Sequence, residues 1–372
     1  MTPAEARHRR RSGRHSAAVI AGLAVVVVAV IVATVLATLD GLGTDDARTG
    51  EERPPVRIGY VPYWDQARGF DVVREHPDLF DQVSPVWYSL EPTGQVVLTD
   101  AENTTVDLET VRVMQDDGIL VIPTVTNLRD GDWDPDTVQA MLHSPDAVQT
   151  HIRELVALAV DQGYDGIDID YEHLRAADRE PYSEFLAGLG TALREEGKLL
   201  TTAVHPKTSE AGYGERNKAQ DFRAIGAAAD QVRVMTYDYS WESSPPGPVA
   251  PADWVEEVIA WTVTQIPSHK VILGIVLLGY DWVDEQGETV DFSQAQARAE
   301  SNDTIVQRAE DGSPTFTYQD SSGRQREVWF EDAASVGSKL PIVDEYELGG
   351  AFFWRLGGED PHVWPVVRGE LR

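Results

Sequence analysis

From Val56 onward the chain alternates short runs of β-branched and aromatic residues with amphipathic stretches of helical period, eight times over. The runs are Val56–Tyr63, Val83–Ser89, Leu120–Thr126, Gly166–Tyr171, Leu199–Val204, Gln231–Tyr237, Val271–Leu277 and Gly350–Trp354. Such alternation predicts parallel strands, because a parallel neighbour needs a crossover long enough to hold a helix. Eight strands over roughly 320 residues suit a TIM (β/α)8 barrel with room for an insertion. The intervening helices carry their own signals. Ser144-Pro145-Asp146 reads as an N-cap with proline at the first helical position, Val148, Ile152, Leu155 and Ala159 follow on one face, and Gly163 ends the helix. Tyr182, Phe185, Leu186, Leu189 and Leu193 form the stripe of the next helix.

One of the eight strands is unusual. Asp165-Gly166-Ile167-Asp168-Ile169-Asp170-Tyr171-Glu172 alternates with period two, so Asp168, Asp170 and Glu172 share one face and Ile167, Ile169 and Tyr171 the other. Three carboxylates along one face of an otherwise buried strand are costly as structure, since unpaired buried charge is heavily penalised. Neighbouring carboxylates raise one another's pKa, which keeps a proton on the last of them near neutral pH and makes it a general acid. An EF-hand loop is excluded, because glycine at its sixth position and glutamate at its twelfth are both missing. A solvated acidic strand is excluded by the apolar opposite face.

Composition narrows the remaining classes. The net charge of −31 argues against a nucleic-acid partner. The absence of cysteine excludes disulfides, zinc–thiolate sites and thiol catalysis. Five arginines between Arg7 and Arg14, within a basic segment 1–16, precede an uncharged apolar run from Ala17 to Leu39. That run matches the ~20 residues a bilayer crossing needs, and the arginines would stay cytoplasmic. We therefore expect a transmembrane signal anchor at 17–39 with everything after it outside; a cleaved signal peptide is the alternative. Residues 40–55 read as a flexible tether and 56–372 as the barrel domain. The stretch of about 283–327, between the seventh and eighth strands, holds a hairpin pattern, Thr315–Tyr318 and Glu327–Phe330 about Ser321-Ser322-Gly323. It is expected to be a small α+β insertion walling one side of a cleft. Val336, Leu340 and Val343 then restart a helical stripe.

The acidic string resembles the D-x-x-D-x-D-x-E motif of glycoside hydrolase family 18, the chitinase-like enzymes, at Asp165, Asp168, Asp170 and Glu172. The resemblance runs from about Val56 to Trp364. It implies that Glu172 protonates the glycosidic oxygen, that Asp170 orients the substrate acetamide, that Asp168 shares a proton or hydrogen bond with Asp170, and that Tyr237 holds the acetamide oxygen. Asp165 and Gly166 would be structural members of the motif. Tyr60, Trp87, Asp238 and Trp354 match sugar-lining positions, and Trp64 is a candidate for an outer subsite with plain packing as its alternative. No metal or cofactor is implied.

The branch resembled is that of spore-cortex peptidoglycan hydrolases and di-N-acetylchitobiase-like proteins: Tyr171 and His173-Leu174 flank the acid, and Met235-Thr236-Tyr237-Asp238-Tyr239-Ser240-Trp241 and Gly279-Tyr280-Asp281-Trp282 agree. Val276 and Leu278 stand where that branch carries proline and tyrosine. Glu331 and Asp332 either line the cleft or open a helix whose dipole they favour. The implied substrate is a peptidoglycan or chitin-type glycan containing N-acetylglucosamine. A non-catalytic sugar-binding protein on the same barrel, and a membrane-anchored wall-assembly protein that uses the motif little, are the competing readings.

Overall fold

The computed structural model describes residues 54–100 and 102–372. The basic segment, the expected anchor at 17–39 and residues 40–53 lie outside them. Among the described residues no helix is long and apolar enough to cross a membrane.

The eight expected strands are present: β1 (Val56–Pro62), β2 (Gln82–Leu90), β3 in two pieces (Leu120–Val121 and Thr124–Thr126), β4 (Gly166–Asp170), β5 (Leu199–Val204), β6 (Gln231–Val234), β7 (Val271–Val276) and β8 (Gly350–Trp354). Each pairs in parallel with the next, and β8 pairs with β1, so the sheet closes into a barrel. β3 is interrupted at Ile122-Pro123, where proline has no N–H to give the ladder. β6 stops at Val234, three residues short of the expected end.

The helices form where their caps and stripes place them. Pro145–Gln162 starts with the Ser144 side chain accepting the Ala147 N–H and ends at Gly163, whose φ of 76° suits glycine. Its buried face is Ala147, His151, Leu155 and Ala159, with Val148 and Ile152 half-buried beside them. Arg179–Glu195 buries the aromatic and leucine stripe read from the sequence.

The excursion after β7 begins earlier than the sequence implied. Gly279–Val283 is already a strand of a separate five-stranded antiparallel sheet, with Gln286–Val290, Gln307–Arg308, Pro314–Gln319 and Gln325–Trp329. A small core of Val290, Ala295, Ala299, Phe316, Val328 and Phe330 joins this sheet to the helix Phe292–Ser301. Asp332 then caps the helix Ala333–Gly337 and accepts from Arg308, while Glu331 is buried against Lys339 at 2.6 Å. Asp332 thus serves the helix start, and Glu331 is held in a buried ion pair across the helix.

Candidate active site

The alternation of β4 determines the site. Ile167, Ile169 and Tyr171 are fully buried on the outer face. Tyr171 packs on Tyr182 and Phe185, and its hydroxyl meets His151 Nε2 at 2.5 Å. Asp165 pins the strand's start: its Oδ2 accepts the Val121 N–H and the Gln115 amide, both at 2.8 Å. Gly166 is required by close approach, since a Cβ there would lie 2.4 Å from the Leu199 carbonyl oxygen.

On the inner face the carboxylates climb from the barrel interior to its C-terminal mouth. Asp168 is fully buried. It accepts from Tyr60 at 2.8 Å, Thr124 at 2.9 Å and Thr201 at 2.6 Å, and the buried guanidinium of Arg233 lies 3.3 Å away. Arg233 is itself held by Tyr60, Ser84 and Gln82. This corrects two expectations and qualifies a third. Asp168 has its acceptor capacity filled and makes no hydrogen bond to Asp170. Tyr60 spends its hydroxyl on Asp168 and Arg233, so it belongs to the interior network, with its ring 5.8 Å from that of Trp354. Trp87 is fully buried against Phe70 and Tyr164, with its N–H given to Gln66 at 2.7 Å, and offers no face to a ligand.

Asp170 is different. Its Oδ1 is buried and has no hydrogen-bond partner among the described residues. Burial first, then the charge of Asp168, pushes its pKa up to about 7, against a smaller opposing effect of Arg233. Glu172 is pushed well above the usual carboxylate range by burial, then by Asp170, with Arg216 opposing. Its main chain is clamped by one side chain: Asn127 Oδ1 accepts the Glu172 N–H at 2.9 Å, and the Asn127 amide donates to the Glu172 carbonyl at 3.0 Å. His205, just past β5, places Nε2 3.5 Å from Glu172 Oε2 and has no other partner for that atom. Burial holds this imidazole well below its ordinary pKa, so it faces the acid as a neutral ring.

The remaining wall comes from the loops after β6, β7 and β8. Tyr237 is buried, and its hydroxyl has no hydrogen-bond partner among the described residues. Asp238 sits in the left-handed region at φ 58° and accepts from Tyr280 at 2.9 Å, and desolvation raises its pKa to about 6. Trp354 stands edge-on to Tyr60 and to Trp64, whose ring centroid is 6.3 Å away. Trp64 is 50% exposed, so the two indoles form an aromatic shelf at the rim. Among the described residues no cluster of histidine and carboxylate groups could hold a metal ion.

Sequence reasoning missed Asn127, His205 and Arg233. Asn127 and His205 directly follow the C-terminal ends of β3 and β5, where a barrel of this kind collects its working residues. Arg233 was legible as a charge between Val232 and Val234, whose side chains face the opposite way.

A carboxylic acid kept protonated beside a second carboxylate, at the C-terminal mouth of a closed parallel barrel and next to aromatic surfaces, is the equipment of a glycosidase. The chain belongs to glycosyl hydrolases family 18, whose family model matches residues 56–359. It is 32% identical over 268 residues to the cortical fragment-lytic enzyme of Bacillus subtilis, covering 70% of this chain and 62% of that protein. Its fold is similar to a chitinase from Chromobacterium violaceum, with a TM-score of 0.80 at 28% identity over 85% of this chain and 99% of that one. It is also similar to the spore cortex-lytic enzyme SleL of Bacillus cereus, with a TM-score of 0.79 at 25% identity over 87% and 76% of the two chains.

Proposed function

We propose that this glycosidase cleaves β-1,4 bonds next to N-acetylglucosamine, in peptidoglycan or chitin-type oligosaccharides, with retention and with the substrate's own acetamide as nucleophile. The observation that carries the reading is the pairing of Glu172 with Asp170 at the barrel mouth: a carboxyl that burial pushes toward its protonated form, beside a second whose Oδ1 is buried with no hydrogen-bond partner among the described residues. Glu172 gives its proton to the glycosidic oxygen. As the C1–O bond breaks, the acetamide carbonyl oxygen bonds to C1 and forms an oxazolinium ion. Asp170 accepts the acetamide N–H and offsets the positive charge that develops there. Tyr237 donates its hydroxyl to the acetamide oxygen and orients it for attack. The ionised Glu172 then takes a proton from water, whose oxygen opens the ring at C1. Trp354 supplies the apolar floor under the reacting sugar, with Trp64 beyond it.

The site also serves a sugar-binding protein, and catalysis is what separates the two readings. The basic segment followed by the apolar run at 17–39 supports an anchored enzyme acting outside the membrane. Bacterial relatives named for cortex lysis support a wall glycan as substrate. The test incubates the full chain and its Glu172→Gln variant with purified peptidoglycan strands and with chitotetraose, and reads products by mass spectrometry. Fragments ending in N-acetylglucosamine, made only by the unmutated protein, are expected from the wall glycan. Binding of both glycans without cleavage of either would replace the glycosidase reading with the sugar-binding one.

A further inference from the structure

Across the barrel mouth from the Trp64–Trp354 shelf lies a cavity of about 500 Å³, lined by His173, Leu174, Gly214, Glu215, Arg216, Asn217 and Trp241. Its frame is fixed from several sides. Arg216 belongs to a short helix, Glu215–Lys218, in the loop after β5. Asn217 ties that helix to the Pro206 carbonyl at 3.0 Å, and Glu215 accepts the Ala176 N–H at 3.1 Å. Trp241 is held by the insertion, since Trp282 donates to its carbonyl at 3.1 Å.

Inside this frame the Arg216 guanidinium lies over the Trp241 ring, 4.7 Å from its centroid. Among the described residues it has no hydrogen-bond or ion-pair partner, in a chain whose net charge is −31. An arginine stacked on an indole keeps its N–H edges free and aligned, and that edge matches a carboxylate bidentately. The acidic groups near it are Glu172 and Asp238 at the mouth and Glu215 on its own helix, and none forms an ion pair with it. His173, on the same wall, follows the acid directly in the chain. Glu172 protonates the oxygen that joins the reacting sugar to its leaving group. A sugar reaching past Glu172, away from Trp354, therefore enters this cavity.

We infer that Arg216 and Trp241 form a leaving-group subsite that selects an N-acetylhexosamine bearing a carboxylate substituent. Trp241 packs against the sugar edge, and Arg216 pairs with the carboxylate. The inference rests on the glycosidase reading only for which end of the glycan lies here. Among wall and chitin-type glycans it picks out those in which N-acetylglucosamine is followed by a 3-O-lactyl sugar whose carboxyl is free of peptide, over neutral homopolymers.

The experiment measures binding without turnover. Full-chain Glu172→Gln protein, with and without Arg216→Gln, is titrated calorimetrically with two tetrasaccharides: chitotetraose, and one alternating N-acetylglucosamine with N-acetylmuramic acid. The parent is expected to bind the carboxylate-bearing glycan about tenfold more tightly, as one charge-assisted pair allows. That preference should collapse with Arg216→Gln, fall to a small residue with Arg216→Lys, which keeps the charge but neither the fork nor the stack, and shrink with added salt. Equal affinity for both glycans in the parent, or a preference that Arg216→Gln leaves intact, would overturn the subsite. Failure of the glycosidase reading is visible separately: the unmutated chain would then cleave neither glycan while the binding preference holds.

Discussion

Asp168 and Asp170 stand two residues apart on one face of one strand, yet the barrel treats them oppositely. In the interior, three hydroxyls and a buried guanidinium converge on Asp168. At the mouth, among the described residues, Asp170 keeps a buried oxygen with no partner, and Glu172 faces a neutral imidazole at 3.5 Å. Satisfying a buried carboxylate is what a fold needs, and the cost of leaving one unsatisfied appears as a raised pKa. The interior network holds the strand in place, and the mouth keeps the proton that Glu172 delivers. The difference teaches that a motif of identical residue types divides into structural and chemical members by the donors each one meets.

The sharpest way to break this comparison is at the top of the strand. Glu172→Gln should fold with an unchanged melting temperature to within a few degrees and lose about 10²- to 10⁴-fold in kcat/KM, as removal of a general acid does. Steady-state kinetics on chitotetraose or wall strands, with a thermal melt alongside, checks both halves.

Asp170→Asn should separate the two roles of a carboxylate most clearly. Activity is expected to fall by about 10²- to 10³-fold, in the range lost with a single electrostatic stabiliser. Stability should rise above pH 7. A carboxyl whose folded pKa is raised to about 7 favours the folded state at low pH, and that contribution is lost as pH rises through 7. The asparagine carries no such loss, so melting curves of the two proteins should converge near pH 4 and separate above pH 7.

Arg233→Met tests the interior. It leaves Asp168 buried without its cation and should destabilise the barrel by about 3–5 kcal/mol, since breaking one side of a buried pair strands the other charge. Denaturant unfolding measures it. A loss under 1 kcal/mol would show that the network is not what holds the strand.

Asn127→Ala is the mildest change. It removes both bonds to the Glu172 main chain and should lower kcat about tenfold with KM nearly unchanged, because it acts on the acid's position and not on the sugar. An equal rise in KM would place Asn127 in binding.

The barrel and the acidic motif were legible because both rest on periodicity: eight β-type runs for the sheet, and period two for the face shared by Asp168, Asp170 and Glu172. What escaped were contacts made across the barrel. Tyr60 and Trp87 occupy sugar-lining positions by resemblance. The fold turns Tyr60 onto Asp168 and Arg233, and Trp87 onto Phe70 and Tyr164. Pattern along a strand does not report which donor lies opposite, so the filled acceptors of Asp168 were invisible. The insertion began early for a similar reason: only its antiparallel partners assign Gly279-Tyr280-Asp281-Trp282 to the second sheet. Arg216 carried no signal, because a lone arginine in a polar loop is indistinguishable from a solvated one.

The central claim, that one strand carries a satisfied carboxylate below and proton-holding carboxyls above, is open to direct titration. Carboxyl-carbon NMR on protein labelled at aspartate and glutamate, with Asp170→Asn and Glu172→Gln as assignments, would follow each group from pH 3 to 9. The account predicts that the Asp170 signal moves near pH 7 and that Glu172 moves well above the ordinary carboxylate range. Titration of both at roughly 4, the value of a solvated carboxylate, would contradict it.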